Sequence, residues 1–503
     1  MKLIRHLLFP IYLLQLENYN LERFFRESVA HIINRPTLWR KKIVWTNKLI
    51  VVTAIALVLI AIPGWAIAQF SIMLGLLATL VALYKLFVFL LLATVVIRPL
   101  EAAVTYWIIQ KARQTLKKHP NLIVIGIAGS YGKTTMKEMV TSVLKQKYQV
   151  LSSPETTNTP IGISRLITNH LSLTTEVFIV EMGEHWQGDV KELCELVHPS
   201  MAIITGINEA HLERLGNLGT TISTIFELAR HSKPNGLLIM NADDANIVGH
   251  YIKHIGNHKV EFYSSGSFEL SKYKVNDVRF DENGGGQTFN ISNPSSVMPS
   301  LESASSPRDL DSGSERKINL RSSWAGMTLS TKLLGHYAIG TSIAATILGK
   351  ELGLSHTQIQ KGINDLEPVP HRLQPMWNKE NNVLIIDDSF NGNPAGVREA
   401  IETLAKFKNR RKIVLTPGLV EIGSETREVH ENIGKQLAKV ADKVLLIQNS
   451  VTDYILKGLQ TAKFNHANII VFPTTQEAHA SLGQILQPND VILFQNDWPD
   501  NYR

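Results

Sequence analysis

The sequence predicts an α/β protein: a doubly wound parallel sheet carrying a P-loop, a second, Rossmann-like α/β domain at the C-terminus, and a two-helix transmembrane hairpin ahead of both. Three observations carry this. Residues 49–97 are almost wholly apolar, with Lys85 as their one charge. From residue 122 onward, short apolar runs alternate with helical stretches. The polar motifs follow those runs directly, where ligands bind in such sheets.

Composition narrows the class. At 503 residues the chain is too long for one ordinary core. Hydrophobic residues make 44% and charged residues 19%, which excludes wholesale disorder and a collagen-like fibre. A single cysteine, Cys194, excludes an intramolecular disulfide and any multi-cysteine metal site. The net charge of +7 is unevenly spread, with 15 Lys/Arg against 4 Asp/Glu in residues 1–120 and 36 against 40 in the rest. The basic excess belongs to the N-terminal segment, so no nucleic-acid partner is expected.

Residues 1–48 mix apolar and basic side chains. Their first 34 fit an interfacial amphipathic segment and, equally by pattern, a soluble helix packed on the catalytic part. Residues 49–97 hold two spanning helices and a turn, with Pro63-Gly64 as the natural turn. Arg35, Arg40, Lys41, Lys42 and Lys48 precede the hairpin, and Arg98, Lys111, Arg113, Lys117 and Lys118 follow it. A lipid bilayer is therefore an expected partner, with both ends on the cytoplasmic side and Lys85 snorkelling to a boundary. Residues 98–118 read as a helix leading out of the membrane.

A central domain is expected over 119–366. Strands at 122–127, 177–182, 201–205 and 237–240 alternate with helices at 134–147, 190–196 and 221–230. The Ser- and Pro-rich stretch 291–316 reads as a disordered insertion between strand-like runs at 260–289 and 317–334. A C-terminal domain is expected over 367–503, with strands at 383–386, 412–415, 443–447 and 491–494.

The motifs carry the chemistry. Gly126-Ile-Ala-Gly-Ser-Tyr-Gly-Lys-Thr-Thr135 follows a strand and opens a helix. A glycine turn brings backbone N–H groups of Gly129, Ser130, Tyr131 and Gly132 to phosphate oxygens. Lys133 reaches the outer phosphates, and Thr134 can ligate Mg2+, with Thr135 beside it. The full Walker pattern has glycine where this chain has Ile127. Glu181 of Glu-Met-Gly ends a strand, where an acid serves either Mg2+ or a buried ion pair. His211, in Asn-Glu-Ala-His-Leu-Glu (208–213), is a candidate metal ligand or a structural histidine. In the second unit, His-Arg-Leu-Gln (371–374) and Asp-Asp-Ser-Phe-Asn-Gly-Asn-Pro (387–394) suit ribose hydroxyls across a cleft, or a capped helix start.

In order and spacing these motifs resemble the Mur ligase family, ATP-dependent amide-bond synthetases of peptidoglycan precursor assembly, and within it the MurF-type branch. NTPIG (158–162), NADD (241–244), TPGLVEIG (416–423) and NDWPDNY (496–502) extend the match from about 122 to 503. The resemblance implies ATP and Mg2+ as cofactors. It implies transfer of D-alanyl-D-alanine to a UDP-muramoyl-tripeptide through an acyl phosphate in the bacterial cytoplasm. Carried over, Lys133 and Thr134 hold phosphates and a first Mg2+. Glu181 and His211 hold a second. Arg372 stabilises phosphate charge, Asn241, Asp388 and Asn391 sit at the nucleotide, and Asn158 and Thr159 face the muramoyl substrate.

Three departures matter. Ile225 stands where the family commonly has a carbamylated lysine, which leaves Glu227 to support the metal or catalysis impaired. Tyr337 and Thr341 replace the histidine and asparagine of the family's adenine-side pattern. The membrane segment stands where the family has its uridine-binding domain. Two alternatives follow: a ligase acting on a lipid-linked, folate or poly-amino-acid acceptor, and a membrane-tethered ATP-binding scaffold recruiting other wall-synthesis enzymes.

Overall fold

The computed structural model describes residues 2–17, 19–34, 43–154, 157–184, 186–208, 215–266, 268–292, 326–390, 392–419, 422 and 425–495. The chain divides into two units, Met1–Gln110 with Asn501–Arg503, and Lys111–Asp500.

The first unit is helical. It holds α1 (Lys2–Leu16), α2 (Leu21–Asn34), α3 (Asn47–Ala68), α4 (Ile72–Tyr84) and the start of α5 (Leu86–Leu116), which runs on into the second unit. Thr46 caps α3 and Ser71 caps α4 through their side-chain oxygens. The turn therefore falls at residues 69–71, not at Pro63-Gly64, which lie inside α3. The reason is packing. A Cβ on Gly64 would meet Thr79 Oγ1 at 2.1 Å, and one on Gly75 would meet the Ala68 Cβ at 2.6 Å. Gly64 is the contact that lets α3 and α4 close on each other. Pro63 forfeits one helical hydrogen bond, which apolar helices tolerate.

Helices α1 and α2 pack on α3 and α5. Ile11, Leu14 and Phe24 are buried in one core with Leu49, Val52 and Ala56 of α3 and Leu90 and Ala93 of α5. Gln15 pins the end of α1 by bonding both the N–H and the carbonyl of Val44. Lys48 pairs with Glu101 at 2.9 Å, which sets the antiparallel register of α3 and α5.

The outer face of this unit is apolar. Val51, Leu57, Val58, Leu80 and Val96 are all exposed. Helices α3 and α5 are long and apolar enough to cross a membrane. Exposed Trp45, Tyr106 and Trp107 lie just beyond the Lys48–Glu101 pair, and exposed Trp65 lies near the other end of α3. Helix α3 has 22 residues, about 33 Å of helix and so enough for the thickness of a bilayer's hydrocarbon core.

The second unit holds two six-stranded sheets. The first is wholly parallel, in the order β2 (Val150–Ser152), β3 (Val177–Glu181), β1 (Ile123–Ala128), β4 (Met201–Ile204), β5 (Leu237–Asn241) and β6 (Lys259–Tyr263). Helices α6 (Lys133–Leu144), α7 (Pro160–His170), α8 (Asp189–Val197), α9 (Leu218–Ile225), α10 (Glu227–His231) and α11 (Ala245–His250) alternate with its strands. Strands β1 and β3 are buried almost throughout, as a sheet covered on both faces requires. Register places Glu181 beside Ile127, so the EMG motif and the P-loop leave the sheet together.

A small antiparallel sheet follows: β7 (Lys274–Asp281), β8 (Gly286–Ser292) and β9 (Met327–Thr331). Ile291 and Ser292, expected to open the disordered insertion, end strand β8. The remainder of that insertion lies outside the described residues. Helices α12 (His336–Glu351) and α13 (His356–Asp365) then pack on the first sheet through α6.

The C-terminal sheet runs β10 (Gln374–Asn378), β11 (Val383–Asp388), β15 (Asp490–Gln495), β12 (Arg411–Thr416), β13 (Lys443–Ile447) and β14 (Ile469–Phe472), with β10 as an antiparallel edge. Helices α14 (Pro394–Ala405), α15 (Thr426–Val440), α16 (Thr452–Thr461) and α17 (Thr475–Ile485) cover it. Tyr337 packs against the cores of both sheets.

Candidate active site

The loop between β1 and α6 has the shape phosphate binding needs. Gly129 has φ +148 and Gly132 φ +77, backbone that side chains rarely adopt. A Cβ on Gly129 would also meet Thr205 Oγ1 at 2.2 Å. The loop is tied to the chain beyond β4. Ser130 N–H donates to Gly206 O at 2.7 Å, and Asn208 N–H donates to Ser130 Oγ at 3.2 Å.

Tyr131 turns its side chain away from the loop. Its hydroxyl donates to Asp244 Oδ2 at 2.7 Å, and Asp244 also accepts from Ile207 and Ile247 N–H. Burial pushes the Tyr131 phenol far up, so it remains a donor. Its ring lies over Gly206, where a Cβ would sit 2.1 Å from Cζ. Thr205 Oγ1 donates to Tyr131 O at 2.5 Å, and Asn241 Nδ2 donates to Thr205 O at 2.9 Å. Asn241 thus sits behind the loop, with its amide oxygen taken by Asp243 N–H.

The first turns of α6 face the end of β3. Thr134 and Thr135 are buried, and Thr134 Oγ1 donates to Glu181 Oε2 at 3.2 Å. Lys133 Nζ donates to Glu184 Oε1 at 2.6 Å and to Gly129 O at 2.5 Å. One turn on, the fully buried Lys137 Nζ lies 3.7 Å from Glu181 Oε2. Two lysines on one helix face therefore meet two glutamates at a strand end. Glu184 Oε2 is buried with no hydrogen-bond partner among the described residues, and desolvation raises the carboxyl above its ordinary range. The donors here are hydroxyl and carboxylate oxygens, a hard set that suits Mg2+. Among the described residues, no three His, Cys, Asp or Glu side chains converge on one point. His211 and Asn391 lie outside the described residues.

Glu227 is engaged by backbone. Its two oxygens accept from Gly188 and Lys191 N–H at 3.1 and 3.0 Å, which holds the start of α8. Ile225 is fully buried. Thr159 caps α7 by accepting from Gly162 N–H, and Asn158 O accepts from Gly183 N–H at 3.0 Å. A Cβ on Gly183 would lie 2.6 Å from that oxygen, so the EMG glycine is required by this approach.

In the C-terminal sheet, Arg372 lies between two left-handed residues, His371 at φ +59 and Leu373 at φ +46. Such backbone persists only where neighbours hold it. Asp387 Oδ2 is 2.7 Å from His371 Nδ1, and Asp388 Oδ1 accepts from Leu373 N–H at 3.1 Å. The paired acids thus clamp the loop that carries Arg372. Its guanidinium stacks on Phe390, 4.7 Å from the ring centroid. Burial pushes the Asp388 carboxyl up to about 7. Tyr337, at the expected adenine side, donates to Arg372 O instead, and Thr341 donates to Tyr337 O. Asn208 Nδ2 donates to Asn393 Oδ1 at 2.9 Å, which joins the P-loop side to the Asp-Asp-Ser-Phe motif.

Sequence reasoning missed Glu184, Lys137, Asp244 and the Asn208–Asn393 contact. The spacing of Lys133 to Lys137 and of Glu181 to Glu184 carried a signal for the first two. The others come from distant segments and carried none.

A P-loop α/β domain joined to a second α/β domain by such a cross-contact defines a nucleotide-dependent two-domain enzyme class. Residues 127–348 match the Mur ligase middle domain and residues 371–495 the Mur ligase glutamate ligase domain, so the two together match more than half of the chain. The protein belongs to the Mur ligase family. A relative, the UDP-N-acetylmuramoyl-tripeptide–D-alanyl-D-alanine ligase of Escherichia coli K12, is 27% identical over 328 residues, 64% of each chain. The enzyme of that name from Bacillus subtilis 168 is 25% identical over 373 residues, 74% of this chain and 72% of its own. The chain thus spans under two thirds of the Escherichia coli relative's length. Among solved structures, MurF of Acinetobacter baumannii matches with TM-score 0.64 and 21% identity, covering 78% of this chain and 77% of its own. MurF of Thermotoga maritima in complex with ADP matches at 0.63 and 22%, covering 78% and 80%. These structural matches establish the fold.

Proposed function

We propose that the protein is a membrane-anchored, ATP-dependent, ADP-forming ligase of peptidoglycan precursor synthesis that adds D-alanyl-D-alanine to a muramoyl-tripeptide. The observation that carries this reading is the P-loop with Lys133, Thr134 and Glu181, bridged by Asn208–Asn393 to the loop that positions Arg372. The names of the relatives support the substrates, and the ADP-bound relative supports the nucleotide.

The central domain (119–366) binds ATP, with Gly129, Ser130, Tyr131, Gly132, Lys133, Thr134 and Thr135 forming the phosphate cradle. Mg2+ would neutralise phosphate charge there, with Thr134 holding a first ion and Glu181 and His211 a second. The tripeptide carboxylate attacks the γ-phosphorus and ADP leaves. The D-alanyl amine then attacks the acyl carbon and phosphate leaves. Lys133 and Arg372 stabilise the charge that develops on phosphate. Asn158 and Thr159 lie on the muramoyl side. Asn241, Asp388 and Asn391 serve the nucleotide, with Asp388 and Asn391 coming from the C-terminal domain (367–503). Residues 49–97 anchor the chain in the bacterial inner membrane with both termini cytoplasmic, as the flanking basic residues favour.

The test is phosphate release by detergent-solubilised protein with ATP and Mg2+. UDP-muramoyl-tripeptide and D-alanyl-D-alanine are supplied together and then singly, with product mass as readout. Turnover that needs both, with the pentapeptide mass appearing, is expected. The apolar first unit favours a second reading, a lipid-linked acceptor. Turnover only with a muramoyl-peptide carried on a lipid in vesicles would select it.

A further inference from the structure

Lys133 is already engaged. Its ammonium is shared between Gly129 O and Glu184 Oε1, and Glu184 is only 3% exposed. A lysine that turns to phosphate must leave Glu184. The departure would strand a carboxylate whose second oxygen, Oε2, is already buried without a partner. Glu181 lies close enough to oppose its ionisation, and Lys137 is held by Glu181 and Glu138. Two carboxylates would then share a dry pocket with one lysine, an arrangement that burial does not tolerate. A divalent cation that enters with the nucleotide restores the balance and fills the bare oxygen.

Resting on the nucleotide reading above, we propose that Glu184 is a metal-ligating residue held in reserve. Lys133 exchanges Glu184 for nucleotide phosphate, and the freed carboxylate joins Glu181 in binding the divalent cation that accompanies the nucleotide. A plain counter-ion for Lys133 is the competing role, and it makes no demand on the metal.

The experiment measures Mn2+ binding to the full-length, detergent-solubilised protein by electron paramagnetic resonance, with and without the non-hydrolysable analogue AMP-PNP. Glu184→Gln keeps size and removes charge. The expected result is Mn2+ affinity at least about 10-fold weaker in the AMP-PNP complex, while AMP-PNP binding without metal is unchanged or tighter. Glu184→Asp, with its carboxylate one methylene short, should give an intermediate Mn2+ affinity. If Glu184→Gln fails to fold, the aspartate variant decides by itself. Mn2+ affinity within about twofold of the parent in either folded variant overturns the proposal and leaves the counter-ion role. A parent protein that binds no Mn2+–AMP-PNP overturns the nucleotide reading itself, so the two failures are distinct.

Discussion

Lys133 and Asp388 are the two residues whose chemistry can be isolated most directly. Replacing Lys133 with Ala removes the phosphate contact and relieves Glu184 of its partner without touching the core. Phosphate release should fall to background in a protein that stays folded but melts at a lower temperature, because Glu184 is left buried without its lysine; near-normal turnover would falsify the P-loop assignment. Asp388 makes a prediction in pH. Its carboxyl is raised from 3.8 to about 7 by burial, so between those values the folded chain keeps a proton that the unfolded chain has released. Stability from this group is therefore present at low pH and falls as pH rises toward 7. Asp388→Asn should flatten that slope, seen as a smaller melting-temperature difference between pH 5 and pH 8. Equal slopes in the two proteins would refute it. At this scale the sequence was legible in placement: Thr134 and Glu181 meet where their motifs leave the sheet. It was silent where the role depends on a partner brought from elsewhere, as with Asp244 beneath Tyr131. Glu227 shows the converse: an acid in a suggestive place, spent on two backbone N–H groups.

Among the elements, the P-loop and the chain leaving β4 are joined through Tyr131 and Gly206. Gly206→Ala would drive a methyl group into the Tyr131 ring. We expect a loss of about 1–3 kcal/mol in stability, the usual range for overpacking, together with weaker AMP-PNP binding. Calorimetry and titration of the variant check both, and an unchanged nucleotide affinity would separate the strut from the loop's function. The segment between β8 and β9 bears a second prediction. Ile291 and Met327 already pair across the ends of those strands, so a shorter link can close the same hairpin. Deleting 293–314 should leave turnover and melting temperature unchanged. Loss of turnover would mean that the segment touches substrate or a partner. The central parallel strands were legible because strands buried on both faces are continuous apolar runs. Strand β10 was not, since Gln374–Asn378 is a half-exposed antiparallel edge with no such run. The hairpin turn was misplaced because proline and glycine mark a turn in water, yet Gly64 here serves close helix contact.

For the whole molecule, the apolar outer face of the first unit supports the proposed membrane anchor. Full-length protein reconstituted with lipid should float with vesicles and stay with them in 1 M salt (about 3 Å of screening length). Release by salt would indicate attachment through charge alone. The paired lysines and glutamates beside the P-loop have a further consequence for turnover. Because Lys133 and Lys137 are matched by Glu184 and Glu181 before any ligand arrives, nucleotide binding replaces one set of ion pairs with another. Its electrostatic gain is a difference between two comparable terms. A spent nucleotide then leaves without stranding the lysine, since the protein supplies the anion that takes its place. On the proposed exchange, the Lys133–Glu184 pair would thus help to displace the spent nucleotide.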